Sequence, residues 1–453
     1  MTIQRVALAS GKQLRFDYDS SVLTVHLDRA YAYGEKVAVT VRYECTPQRG
    51  LYFIQPNASY PNDPHQIWTQ GQGEDNRHWF PCYDYPNDKA TTEVLMTVRG
   101  EYTTLSNGAL KSKKRNADGT ITWHWSQDTP HSVYLVMLAA GDYRVYEDAW
   151  DGIPVRSYHY PSDAPEDVRR AYGTTADMVR FFSQRIGIRY PWAKYAQIPV
   201  VHYLYGGMEN TSATVLADTR AVVNARTAQD YTADGLIAHE LAHMWWGDYL
   251  AKIDWDNTWL NEGFATYFQQ CWTEHRWGDD EFSWQRSEGI NGYLAWTDAN
   301  GRVPVVTDKP NPSQNVYAKG SAVLHMLRTL LGEEQFWRVI TAYGKRHALG
   351  SVESNDFKRA IEDVTGMSLQ WFFTQWLYRA GYPDVRVTKR WDAEAAQLTL
   401  RFAQVQRVDS LCGYFRLHVP VLIRTASGDT SFTAVIDGAE SVVTVPLSKA
   451  PLF

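Results

Sequence analysis

His239-Glu240-Leu241-Ala242-His243 places two histidines four residues apart with a glutamate beside the first. The stretch is apolar-periodic and predicts a helix beginning near Thr232. Histidines at i and i+4 stand one above the other on a single helix face. Their imidazoles can therefore reach one tetrahedral ion, with Glu240 projecting beside it. Zinc suits this pattern, one ion per chain, and a catalytic zinc takes three protein ligands and leaves a fourth place for water. Glu262, within Trp259-Leu260-Asn261-Glu262-Gly263-Phe264-Ala265, is the candidate third ligand. Thr258 is the expected cap of that second helix, with Glu262 in its first turn. Such an ion lowers the pKa of its water from about 15.7 toward about 7. Glu240 is then placed to take that proton and return it to a leaving amine. The chemistry is attack on a carbonyl carbon, which builds an oxyanion and calls for a second donor. One buried histidine alone would read as packing. The pair with the downstream Asn-Glu-Gly-Phe-Ala helix reads as a hydrolytic centre for peptide bonds.

The elements that must hold these residues change in texture along the chain. Residues 1–158 alternate apolar and polar residues, as in Val22–Leu27, Lys36–Val41, Thr92–Val98 and Thr120–Trp125. Asn107-Gly108 and Asp118-Gly119 mark turns between strands. Ser162-Asp163-Ala164-Pro165-Glu166 is a helix start. From 159 to 382 helical periodicity prevails, interrupted by an expected strand at Gln197–Tyr205. Alternation returns over 383–453, in Gln397–Phe402 and His418–Ile423, as sandwich strands. The expectation is a multidomain α+β protein: an N-terminal β-sheet domain over 1–158, a mostly helical catalytic domain over 159–382 and a small C-terminal β-sandwich over 383–453.

Composition narrows the partners. The net charge of −6 over 453 residues is mild, and no Lys/Arg-rich run marks a nucleic-acid or membrane surface. No run of 18 apolar residues occurs, so no membrane span is expected. Cys45, Cys82, Cys271 and Cys412 are widely spaced and read as isolated, mostly buried thiols. The first residues lack the apolar stretch of a signal peptide, so a cytoplasmic protein is the expectation, unless an incomplete N-terminus hides one.

At the metal motif the chain resembles the zinc aminopeptidases of the aminopeptidase N and leukotriene-hydrolase family, the gluzincins with a downstream glutamate ligand. In that family 18 residues separate the second histidine from the glutamate, as between His243 and Glu262 here. Trp245-Trp246-Gly247-Asp248 is also family-like. The resemblance implies a thermolysin-like catalytic domain. It implies further that Gly206-Gly207-Met208-Glu209-Asn210 binds substrate: Glu209 holds the free α-amino group, and the Gly206 and Gly207 backbone pairs with the peptide as an added strand. Most relatives have Ala in place of Gly207, an exchange expected to matter little. Gln72, in Thr69-Gln70-Gly71-Gln72, is implied to touch the same amine. Tyr317, in Tyr317-Ala318-Lys319-Gly320, is implied to donate to the oxyanion. At positions where the leukotriene-hydrolase branch carries an acidic residue and an extra tyrosine, this chain has Lys309 and Pro312, so epoxide hydrolysis is not expected. Relatives usually begin some fifty residues earlier and continue past the sandwich into a helical domain. A naturally minimal member or a fragment is therefore expected.

The leading expectation is a zinc aminopeptidase acting on peptides with a free N-terminus, with no nucleic-acid or membrane partner. The alternatives are a thermolysin-like endopeptidase, which would leave the carboxylate of Glu209 buried without a partner, a catalytically weak peptide-binding fragment, and a non-catalytic interaction protein. All ligands and the base are retained, which speaks against the last.

Overall fold

Alternating segments can bury one face only by pairing, as Thr92–Val98 does, whereas Val22–Leu27 and Lys36–Val41 stay largely exposed and the strand expected from Lys36 begins at Val39. A computed structural model describes residues 1–221, 223–307 and 314–452; Lys309 and Pro312 lie outside them. The chain divides into two units, residues 1–254 with 347–352, and residues 255–346 with 353–453.

In the first unit, strand Ile121–Ser132 runs antiparallel between Lys89–Val98 and Ala109–Arg115. A four-stranded sheet orders Leu51–Ile54, Gln66–Thr69, Leu138–Gly141 and Thr103–Ser106. Trp68, Trp123, Trp125 and Leu105 fill the core between them, joined by Ile198, Val200 and Val215. The last three come from a mixed five-stranded sheet: Arg144–Trp150, Ile153–His159, Tyr195–Val200, Ala213–Ala217 and, at the edge, Gly207–Met208. This sheet runs through position 158, because Val155–Ser157 pairs in parallel with Tyr195–Gln197. The expected strand at Gln197–Tyr205 ends early, at Val200. There Val201 N donates to Gln66 Oε1 (3.1 Å) and His202 turns to φ 57°. A helix begins at Pro165, with proline in its first turn as expected.

His131 lies fully buried in this unit, its Nε2 2.9 Å from Thr92 Oγ1. Burial, with Lys89 nearby, pushes its pKa down from 6.5 to about 3. The unfolded chain takes up this proton near pH 6.5 and the folded chain does so only near pH 3. The stability it confers is therefore complete above pH 6.5 and falls as pH drops through that window. Urea unfolding at pH 7 and pH 5 should show the wild type losing about 2 kcal/mol more than His131→Asn over that interval; equal losses would contradict the assignment.

The second unit is helical up to Tyr378 and then β. Its helices pack around an aromatic cluster in which Phe357 meets Phe264 at 5.1 Å and Tyr343 at 5.0 Å between ring centroids. Strands Val385–Asp392, Gln397–Gln404 and Glu440–Pro446 form one sheet, and Leu417–Thr425 pairs with Gly428–Ile436 in another. Leu398, Phe402, Ile423 and Ile436 bury their faces against one another. The β-rich start, helical middle and β-rich end agree with the α+β expectation. The four cysteines are free thiols, two buried and two half-buried. Among the described residues no helix is long and apolar enough to cross a membrane.

Candidate active site

The motif histidines sit at the end of helix Asp234–Ala242, with His243 as its C-cap in helical conformation. The residues after it lock that end. Trp245 packs edge-on against Tyr190 at 5.5 Å, and its Nε1 donates to Ile188 O (3.0 Å). Trp192 Nε1 donates to Met244 O (2.9 Å), and Asp248 N to His243 O (3.1 Å). His243 Nδ1 lies 2.9 Å from Trp246 O. A carbonyl can only accept, so Nδ1 carries the proton and Nε2 is the unprotonated nitrogen. That Nε2 lies 3.1 Å from Nε2 of His239. Two imidazoles bound at about 2.0–2.1 Å to a tetrahedral zinc place their nitrogens about 3.3 Å apart. The pair therefore fits a shared ion.

The Gly-Gly-Met-Glu-Asn segment faces the same helix. Gly207–Met208 is the last strand of the five-stranded sheet and bonds only to Ala213–Ala217, leaving its outer backbone edge for another strand. An oxygen of Glu209, an oxygen of Glu240 and a ring nitrogen of His243 lie within 4.8 Å of one another. Glu209 is buried, and its Oε1 has no hydrogen-bond partner among the described residues. Asn210 is fully buried next to it. Gly206 O accepts from Ala217 N (2.9 Å). Gly207 lies directly against the Glu240 side chain. A Cβ there would stand 2.4 Å from Glu240 Oε1 and 2.6 Å from its Cδ, so alanine at this position requires the Glu240 side chain to shift.

Gln72 is half-buried, and its backbone O accepts from Gln70 Nε2 at 3.4 Å. The glutamine that meets the glutamate strand is Gln70, whose Nε2 reaches Met208 Sδ (3.3 Å) and whose Oε1 accepts from the Tyr203 hydroxyl. Burial, with Glu240 and Glu209 close by, raises the Tyr203 pKa, so this hydroxyl stays protonated. Gln70 and Tyr203 escaped sequence reasoning, although Gln70 shares the motif of Gln72. So did Asp248. Burial, and secondarily the charge of Glu209, holds its carboxyl well above the usual range, against the opposing pull of His243, Thr211 and Lys89.

In the second unit, Glu262 is buried in the first turn of helix Trp259–Trp277, as expected. Thr258 occupies the cap position, but its hydroxyl donates to Trp255 O and leaves the helix N–H groups alone. Tyr317 lies in a π-helical turn, Asn315–Lys319, at the head of helix Gly320–Leu331. Such turns are rare and concentrate at functional sites. Two neighbours anchor it. Asn315 Nδ2 donates to Pro304 O, and Lys319 Nζ donates to Gly381 O (2.9 Å). Gly263 and Gly320 bring the two helices into backbone contact. A Cβ on Gly320 would stand 3.0 Å from Gly263 Cα, and one on Gly263 3.1 Å from Gly320 Cα and from Val316 O. Backbone cannot swing aside, so Gly263→Ala should cost roughly 1–3 kcal/mol of unfolding free energy in urea titration. An unchanged midpoint would show that the helices part freely.

Residues 4–135 match the peptidase M1 N-terminal domain, and residues 170–376 match the peptidase family M1 domain. The chain is similar to aminopeptidase N of Streptomyces lividans, 29% identical over 364 residues that make up 76% of this chain and 41% of that protein. It is 27% identical over 444 residues to the tricorn protease-interacting factor F2 of Thermoplasma acidophilum, across 92% of this chain and 53% of that one. Leucyl aminopeptidase of Saccharolobus solfataricus is 25% identical over 422 residues, 89% of this chain and 52% of its own length. The chain spans about half the length of the curated relatives it matches.

Proposed function

This chain belongs to peptidase family M1, and from that membership we infer that it is a metallo-aminopeptidase removing the N-terminal residue of peptides. The observation that carries the reading is Glu209, a buried carboxylate with an unsatisfied oxygen, beside Glu240 and His243 and just after an edge strand. An α-ammonium group is the partner such a carboxylate lacks. A peptide bound along the Gly206-Gly207 edge would place its first residue against Glu209 and Gln72, with Met208 and Asn210 holding the strand.

His239, His243 and Glu262 would hold one zinc. Bound there, zinc would supply Lewis-acid chemistry and acidify a water. Glu240 is placed to take a proton from the attacking water and pass it to the leaving amine. Tyr317 donates its hydroxyl hydrogen bond to the oxygen on which charge develops. In this scheme residues 1–158 contribute Gln72, residues 159–382 the metal ligands, base and donor, and residues 383–453 a supporting sandwich. Four free thiols favour a reducing, cytoplasmic site of action, which fractionation of tagged cells would check.

The test uses aminoacyl-fluorophores of varied side chain, their N-acetyl counterparts and a chelator. Free-amine substrates should be cleaved, chelator should abolish turnover, and zinc should restore it. Rapid cleavage of an N-acetylated peptide would favour an endopeptidase. Peptide binding without turnover would mean a weak fragment.

A further inference from the structure

The second unit holds a cavity of about 560 Å³ that plays no part in the scheme above. That size suits a small organic ligand. One wall is aromatic, from Trp371, Phe372 and Trp376, and Met326 and Leu330 make an aliphatic one. Arg286 and Arg416 also line it, and no acidic residue does. Among the described residues neither arginine has a carboxylate within ion-pairing distance. In the same unit Arg328 pairs with both Glu274 and Glu333.

The arginines are held in place from below. The Arg416 guanidinium lies 4.9 Å from the Trp371 ring centroid and that of Arg286 5.2 Å from Phe282. Gln375 clamps the Arg416 backbone from both sides, accepting from its N (3.0 Å) and donating to its O (2.8 Å). Gln375 belongs to another π-helical turn, Thr374–Tyr378, whose Trp376 lines the cavity. His418 lines the cavity, stacks on Trp371 at 5.8 Å, and has a buried Nε2 with no hydrogen-bond partner among the described residues. Burial and then the neighbouring arginines push His325 down to about 4, and burial and Arg416 also lower His418. At neutral pH the lining charge is therefore that of the two arginines. A guanidinium fork matches a planar carboxylate, while the apolar walls require an apolar body behind it.

We propose that this cavity binds an amphipathic monocarboxylate, its carboxylate on Arg286 and Arg416 and its apolar chain against Trp371, Phe372 and Leu330. Decanoate is the probe and decanol its neutral control, titrated calorimetrically into the zinc-loaded full chain. Decanoate should bind at least tenfold more tightly than decanol. The double variant Arg286→Gln/Arg416→Gln should lose that preference while binding decanol as the wild type does. A photoreactive decanoate should label Met326–Leu330 or Trp371–Trp376 in the unmodified chain, which keeps the test independent of any variant's folding. No decanoate heat, equal affinity for the two probes, or labelling elsewhere would overturn the proposal. None of these readouts depends on turnover.

Discussion

Glu240→Gln is expected to lower kcat on an aminoacyl-fluorophore by about 10⁴-fold, the upper end of what a positioned proton-transfer group contributes. The exchange keeps the size of a side chain that touches the space beside Gly207, and it removes the basic oxygen. Metal content, measured by atomic emission, should remain one zinc per chain, because the ligands lie elsewhere. This combination separates a lost base from a lost ion. Turnover within tenfold of the wild type would refute the assignment of Glu240, and a zinc-free variant would show the residue to be structural for the metal.

The second large effect is expected at Glu209. Its carboxylate is buried, has an oxygen within 4.8 Å of both a Glu240 oxygen and a His243 ring nitrogen, and keeps one oxygen unsatisfied. Removing one partner of a desolvated charge pair typically costs several kcal/mol. Glu209→Gln should therefore lower kcat/KM for free-amine substrates by about 10²-fold. N-acetylated substrates, which carry no charge there, should be unaffected. The diagnostic is the ratio of the two rather than either rate. A ratio that stays at the wild-type value would remove Glu209 from amine recognition and with it the exopeptidase reading.

Much of this site could be read locally. His239 and His243 share a helix turn, and Glu262 falls in the first turn of the next long helix, so spacing alone placed them. The strands around Thr92–Val98 and Gln397–Phe402 were visible because one face had to be buried. What escaped reading depends on contacts between distant positions. Gln70 meets Met208, 138 residues away, and nothing near Gln70 distinguishes it from Gln72. Gly263 and Gly320 look like ordinary helix residues until their backbones meet. The π-helical turn at Tyr317 is anchored to Pro304 and Gly381, contacts that no local pattern encodes. Position 158 read as a boundary because alternation stops there, yet the sheet continues by parallel pairing with Tyr195–Gln197. The early end of the expected strand at Val200 depends likewise on Gln66.

The Gly263–Gly320 crossing has a consequence for recovery from metal loss. The spacing between the turn bearing Glu262 and the turn bearing Tyr317 is set by main chain against main chain, and no bound ion is needed to maintain it. If Glu262 holds zinc as proposed, metal-free protein should thus keep the Glu262 and Tyr317 turns at the same spacing, and reloading should resemble filling a socket more than refolding a domain. It also couples the two residues in any redesign. A library that moves the tyrosine cannot leave the glutamate where it was, and the two glycines are the positions such a library should hold constant.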